Sequence, residues 1–143
     1  MSEARSLLSS RPMHLTQFAA DIDGHQRKIV NAEVRPLSRG HGDSAIPVKD
    51  GRTLPFVVDR AWNAPAGVYQ EQWFLVEPQS REVLYEGPLE LQKIAGLLSW
   101  TAVTDEVTES FELAGGNYLI VFALGGIMGG QAEVAAVEVT EPS

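Results

Sequence analysis

The sequence contains no cysteine. Disulfides and thiolate metal sites are therefore excluded, and nothing in the residue usage marks an oxidising compartment. Histidine is scarce too: His14, His25 and His41 are the whole supply, and none pairs with another at i+2 or i+4. A zinc site needs three or four converging ligands, so the sequence implies no metal centre, and it offers no cofactor motif. Long apolar runs are also missing. The longest, Tyr118–Leu124, falls well short of the roughly 18–20 residues that cross a bilayer. Ser2–Leu15 lacks the apolar run of about 7–15 residues that a secretory signal needs. The expectation is a soluble, cytoplasmic chain with no membrane partner.

Basic residues are scarce beyond residue 58. Residues 59–143 hold three Lys/Arg against thirteen Asp/Glu, while residues 1–58 hold eight against six, and the whole chain carries −8. An acidic body argues against nucleic acid as a partner, because a phosphate backbone calls for a basic footprint.

What is present fits one domain, since single cores run to about 100–200 residues and this chain has 143. Residues 1–27 form an N-terminal arm rich in serine, arginine and proline at its start. The arm is expected to be largely irregular; within it Leu15, Phe18, Ala19 and Ile22 fall at helical spacing, so one short helix capped by Thr16 and ended by Gly24 is an expectation. Residues 28–143 form the folded domain.

The domain reads as strands. Val30, Ala32 and Val34 alternate with Asn31, Glu33 and Arg35, the period of a half-buried strand. Asp50-Gly51 is a two-residue turn signal, because a type I′ turn needs positive φ at both positions. It separates Ile46 and Val48 from Leu54, Phe56 and Val58. Val68–Glu77 places Trp73 with Tyr69 and Leu75 on one face, and Phe74 and Val76 on the other. Val83 and Tyr85 mark a short returning strand. In Gly87–Leu98, Leu91, Ile94, Ala95 and Leu98 recur at helical spacing behind Pro88, which predicts a short crossover helix. Thr101–Leu113 alternates again, with Val103, Val107, Phe111 and Leu113 facing one way. The last hairpin joins Tyr118–Leu124 to Gln131–Val139 through a loop, GGIMGG, and a phase switch predicts a bulge near Ala135-Ala136.

The centre of this pattern is Phe111–Gly126. Leu113, Gly116 and Tyr118 form Leu-x-x-Gly-x-Tyr ahead of a strand apolar on both faces. That motif resembles the tyrosine corner of immunoglobulin and fibronectin-III-like β-sandwiches, and a core Trp73 on the third strand resembles the same superfamily. The resemblance implies an all-β, antiparallel Greek-key sandwich of about seven strands. It also implies a structural role for Trp73, Leu113, Gly116 and Tyr118, with the Tyr118 hydroxyl bonded back to the corner.

Catalytic motifs fail on their own terms. Asp21-x-Asp23-Gly24 lacks the glycine and glutamate that a calcium loop requires, because Gln26 and Ala32 stand there. His41, Asp43 and Ser44 share one glycine-rich loop, where a triad cannot hold its geometry, and no GxSxG elbow exists. Gly125–Gly130 lacks the Lys-Ser/Thr of a phosphate loop. The expected function is a non-enzymatic protein-interaction or scaffolding module, binding a protein partner or a second copy through Ile127 and Met128 at the GGIMGG tip. The alternative is a carbohydrate- or small-ligand-binding sandwich using exposed Trp62, Tyr85 and Trp100. A small enzyme built on loop carboxylates is the remote third.

Overall fold

Alternating strands must bury one face each, and here they do so in two sheets closed over a shared core. A computed structural model describes residues 27–39 and 44–139. The strands are β1 (Lys28–Pro36), β2 (Ile46–Lys49), β3 (Arg52–Thr53), β4 (Phe56–Asn63), β5 (Gly67–Val76), β6 (Val83–Glu86), β7 (Glu90–Ile94), β8 (Thr101–Val107), β9 (Gly116–Leu124) and β10 (Ile127–Glu138). The smaller sheet has the order β1-β4-β8; the larger runs β3-β2-β10-β9-β5-β6, with β7 also on β5. Phe56, Val58, Trp62 and Val107 of the first meet Trp73, Leu75, Ile120, Phe122 and Leu124 of the second in one buried cluster.

The fold is all-β, and no described residue is helical. The helix expected within Gly87–Leu98 is therefore corrected: Glu90–Ile94 is β7, paired with Gly67–Glu71. The physical reason is backbone demand. β6 covers β5 only over Phe74–Val76, so the first half of β5 would otherwise leave its N–H and C=O groups unpaired. The helical spacing forms no common buried face: Ile94 is inside, but Leu91 and Leu98 are exposed. The described residues form ten strands rather than about seven, because Ala45–Val58 divides into β2, β3 and the start of β4 and because β7 is added. Nor is the pairing wholly antiparallel, since β2 lies parallel to β10 through Ala136↔Ile46 and Glu138↔Val48.

The two expected hairpins differ in outcome. Asp50 and Gly51 both have positive φ, 53° and 77°, as the turn requires. The second turn is Gly125-Gly126, at 63° and 80°, so Ile127 and Met128 lie inside β10 opposite Leu124 and Ala123 rather than on a loop tip. The bulge sits between Met128 and Gly130, not near Ala135-Ala136, where the register runs unbroken. Its cause is visible. A Cβ at Gly129 would lie 2.3 Å from the Trp62 ring, so the extra glycine opens room for that indole. Val137 is simply exposed, which accounts for the phase switch in the sequence.

The corner is as expected. The Tyr118 hydroxyl donates to Ala114 O at 2.7 Å, Leu113 is buried, and Leu113 N donates to Gly51 O at 2.9 Å. The helix expected around Leu15–Ile22, together with His14, His25, His41 and Asp43, lies outside the described residues.

Candidate functional site

Three charged residues point into the core. Arg60 shares the inward phase of β4 with Phe56, Val58 and Trp62; Glu71 shares that of β5 with Trp73 and Leu75; Asp105 shares that of β8 with Val103 and Val107. Arg60 Nε donates to Glu71 Oε2 at 2.7 Å, and its Nη2 bonds to Glu71 Oε1. Its Nη1 lies 2.9 Å from Asp105 Oδ2. Two indoles complete the set: Trp62 Nε1 donates to Glu71 Oε2 and Trp73 Nε1 to Asp105 Oδ2, each at 2.9 Å. Burial opposes the Arg60 charge, but the bond to Glu71 and the attraction of Glu71 and Asp105 outweigh it and raise its pKa above the ordinary arginine value. No buried side-chain nitrogen or oxygen among the described residues lacks a partner. The cluster ties the small sheet to the large one.

The sequence expectations passed over these three residues. The signal was available, because each is a charge standing in the apolar phase of an alternating strand.

The expected binding aromatics separate. Trp62 is fully buried. Tyr85 is half-buried, stacked on Phe111 with ring centres 4.0 Å apart and tilted against Trp73 at 5.8 Å. Its hydroxyl donates to Glu109 Oε1 at 2.9 Å. Trp100 is exposed, at 66%. The structure does not bring Trp62, Tyr85 and Trp100 together on a wet sheet face. Ile127 is half-buried and Met128 is 39% exposed.

Trp100 belongs to a different arrangement, in the connection from β7 to β8. There Leu97, Leu98 and Trp100 all face solvent, and Leu98 is fully exposed. The backbone beneath them is tethered. Asn63 Nδ2 donates to Leu97 O at 3.0 Å and to Ser99 O at 3.4 Å, and Ala95 N donates to Thr101 Oγ1 at 2.9 Å. Gly96 rests against Ala66 just ahead of β5. Val68 and Leu91 are likewise exposed, on the paired strands β5 and β7. Scattered single apolar residues on a surface are ordinary; several together on a hydrogen-bonded loop are a candidate contact surface.

A second feature is an open groove of about 600 Å³ on the outer face of the small sheet, lined by Asn31, Glu33, Arg35, Asp59, Ala61 and Thr104 among others. Its charges are engaged with one another. Arg35 donates to Asp59 Oδ2 through Nε and Nη2 at 3.3 and 3.1 Å, and Thr104 Oγ1 donates to Asp59 Oδ1 at 2.6 Å. Ser44 is an exposed rim residue of this groove. Among the described residues no three His, Asp or Glu side chains gather as metal ligands would. No described helix is long and apolar enough to cross a membrane.

No protein-family model matches the chain, and no curated protein does. Among solved structures, the chain is similar to an alkylpurine DNA glycosylase, AlkC, of Pseudomonas fluorescens, bound to DNA containing an abasic site analog. The TM-score is 0.48 at 15% identity, over 78% of this chain and 30% of that one. It is also similar to a beta-glucosidase of Listeria innocua in complex with isofagomine, with a TM-score of 0.45 at 18% identity, over 76% of this chain and 16% of that one. The chain thus spans under a third of the length of either.

Proposed function

We propose that this domain is a non-enzymatic protein-interaction module of immunoglobulin-like, Greek-key type, working in the cytoplasm. The strand order supports the architectural part. β1-β4-β8 follows the A-B-E order of such sandwiches, and β10-β9-β5 with β6 and β7 follows G-F-C with an added edge. The buried Trp73 of β5 and the Tyr118 bond to Ala114 further support this reading.

The observation that carries the functional part is the tethered loop presenting Leu97, Leu98 and Trp100. Apolar side chains held out by a hydrogen-bonded backbone lose little further freedom on docking, so contact is not offset by a large ordering cost. Aromatic anchors of this kind dominate protein interfaces. The partner is a protein with an apolar cleft and basic rim, because the surrounding body is strongly acidic. Met128 of β10 is a further candidate contact. The double substitution Leu98→Ser with Trp100→Ser tests this. Loss of crosslinked partners in cells, with an unchanged melting temperature, is the expected result. Retention of every partner by the folded variant overturns it.

The ligand-binding alternative keeps one supporting residue, Trp100. A glycan array with and without Trp100→Ala separates it from protein docking.

A further inference from the structure

The large sheet ends in a strand whose outer edge no described strand covers: β7 pairs with β5 alone. The hydrogen bonds of β5 decide which backbone groups of β7 face outward. Gln70 O accepts from Gly125 N on the β9 side, whereas Trp73 O accepts from Gly87 N on the opposite side. Backbone groups alternate sides along a strand, so Tyr69 and Glu71 turn theirs toward β7, as Trp73 does toward Gly87. Their partners there are Gln92 and Glu90. The N–H and C=O groups of Leu91 and Lys93 therefore point away from the sheet.

Three other sheet ends are blunted, as free edges usually are. β3 is two residues long, β1 ends in Pro36, and β8 turns the charge of Asp105 inward. β7 instead sets Leu91 near its centre, 68% exposed. Leu91 lies opposite Gln70 and diagonal to Val68, which is 64% exposed on the same face. This apolar strip runs to the edge of the sheet and stops there.

We propose that β7 pairs antiparallel with β7 of a second copy of this chain, about a two-fold axis at Leu91. An axis normal to the sheet keeps every side chain on its own face, and each contact is made twice. With Leu91 opposite Leu91, Glu90 meets Gln92 and Leu89 meets Lys93. The outward N–H and C=O groups of the two Leu91 residues then satisfy each other. No like charges stand directly opposite, and the aliphatic stem of Lys93 lies along Leu89. The strip becomes continuous across the axis, Val68 and Leu91 of one copy meeting Leu91 and Val68 of the other. An axis at Gln92 would set Leu91 against Lys93 and part the two leucines. One strand of five residues covers less than the roughly 1,200–2,000 Å² of a stable complex, so the dimer is a transient one. The pairing uses β7 itself and needs no contact from the loop of Leu97, Leu98 and Trp100.

Sedimentation of the full-length chain at rising concentration is expected to show a monomer–dimer equilibrium. Each copy carries −8, so added salt, by screening the repulsion, is expected to strengthen it. Leu91→Pro removes an N–H that bonds nothing in β5. It is expected to weaken the dimer by at least about tenfold, because two hydrogen bonds across the axis are lost. Leu91→Lys sets like charges on the axis and weakens the dimer without touching the backbone, which covers the case in which proline disturbs β7. Crosslinking reads the register, since the chain has no cysteine of its own. A short bismaleimide is expected to join two Leu91→Cys chains but not two Leu84→Cys chains, whose exposed positions on β6 lie far from the axis. A monomer at every concentration overturns the proposal, and so does association that weakens as salt is raised. Undiminished dimerisation of Leu91→Lys, or equal crosslinking at the two positions, overturns it as well.

Discussion

The fold alters the chemistry of Tyr85. Burial against Trp73 and Phe111 comes first, and the bond to Glu109 and its negative charge add to it; together they push the phenol up to about 12. The sign of the consequence is fixed. The folded state holds its proton more tightly than the unfolded chain, whose tyrosine titrates near the ordinary value of about 10. The contribution of Tyr85 is therefore fully present below pH 10 and is lost as pH rises toward 12. An absorbance titration at tyrosinate wavelengths should show a late step near pH 12. Tyr85→Phe should abolish that late step. If the folded protein shows no late step, or Tyr85→Phe leaves it in place, Tyr85 is not held as described.

At the scale of elements, what the sequence reveals depends on whether an element's neighbours are local. The corner at Leu113–Tyr118 and the turn at Asp50-Gly51 are specified by residues within a few positions, and both are present as read. β7 is not of that kind. Its strand form follows from the unpaired half of β5, some twenty residues earlier in the chain, which no local periodicity can express. The same holds for the β10 bulge, fixed by the bulk of Trp62, and for the junction between β6 and β7. There Gly87 N donates to Trp73 O at 2.8 Å, and a Cβ at Gly87 would stand 2.3 Å from the indole. Gly87→Ala must push the Trp73 ring aside and disturb its bond to Asp105. A loss of roughly 1–3 kcal/mol is expected, as for overpacked cores, measured by denaturant titration. A variant as stable as the parent would mean that the junction yields freely.

Across the whole molecule, the candidate contact surface was partly legible. Trp100 was identifiable as an aromatic outside the strand pattern, but its exposure beside Leu97 and Leu98 was hidden by a spacing that suggested a helix. Ile127 and Met128 read as a loop tip because four glycines surround them, whereas only Gly125 and Gly126 make the turn. The interior charges were legible by phase alone; their convergence was not, because Arg60, Glu71 and Asp105 meet only when the two sheets close.

That convergence sets how the molecule unfolds. The Arg60–Glu71–Asp105 cluster bridges β4 and β8 of one sheet to β5 of the other, and the aromatic contacts of Phe56 with Trp73 cross the same gap. A buried ionic set contributes little net stability against an apolar replacement, because removing the charges from water is costly. Breaking it is a different matter. Glu71→Ala strips Arg60 of its closest counter-charge and Trp62 Nε1 of its acceptor, which should lower stability by about 3–5 kcal/mol. With both sheets sharing one core, unfolding of the parent should be a single transition. Tryptophan fluorescence, dominated in its change by Trp62 and Trp73 because Trp100 is already exposed, should coincide with far-ultraviolet circular dichroism in urea. Glu71→Ala should move both curves together to lower denaturant. If fluorescence shifts first while the dichroism holds, the sheets separate before they melt, and the cluster is a latch between two independently stable layers rather than part of one core.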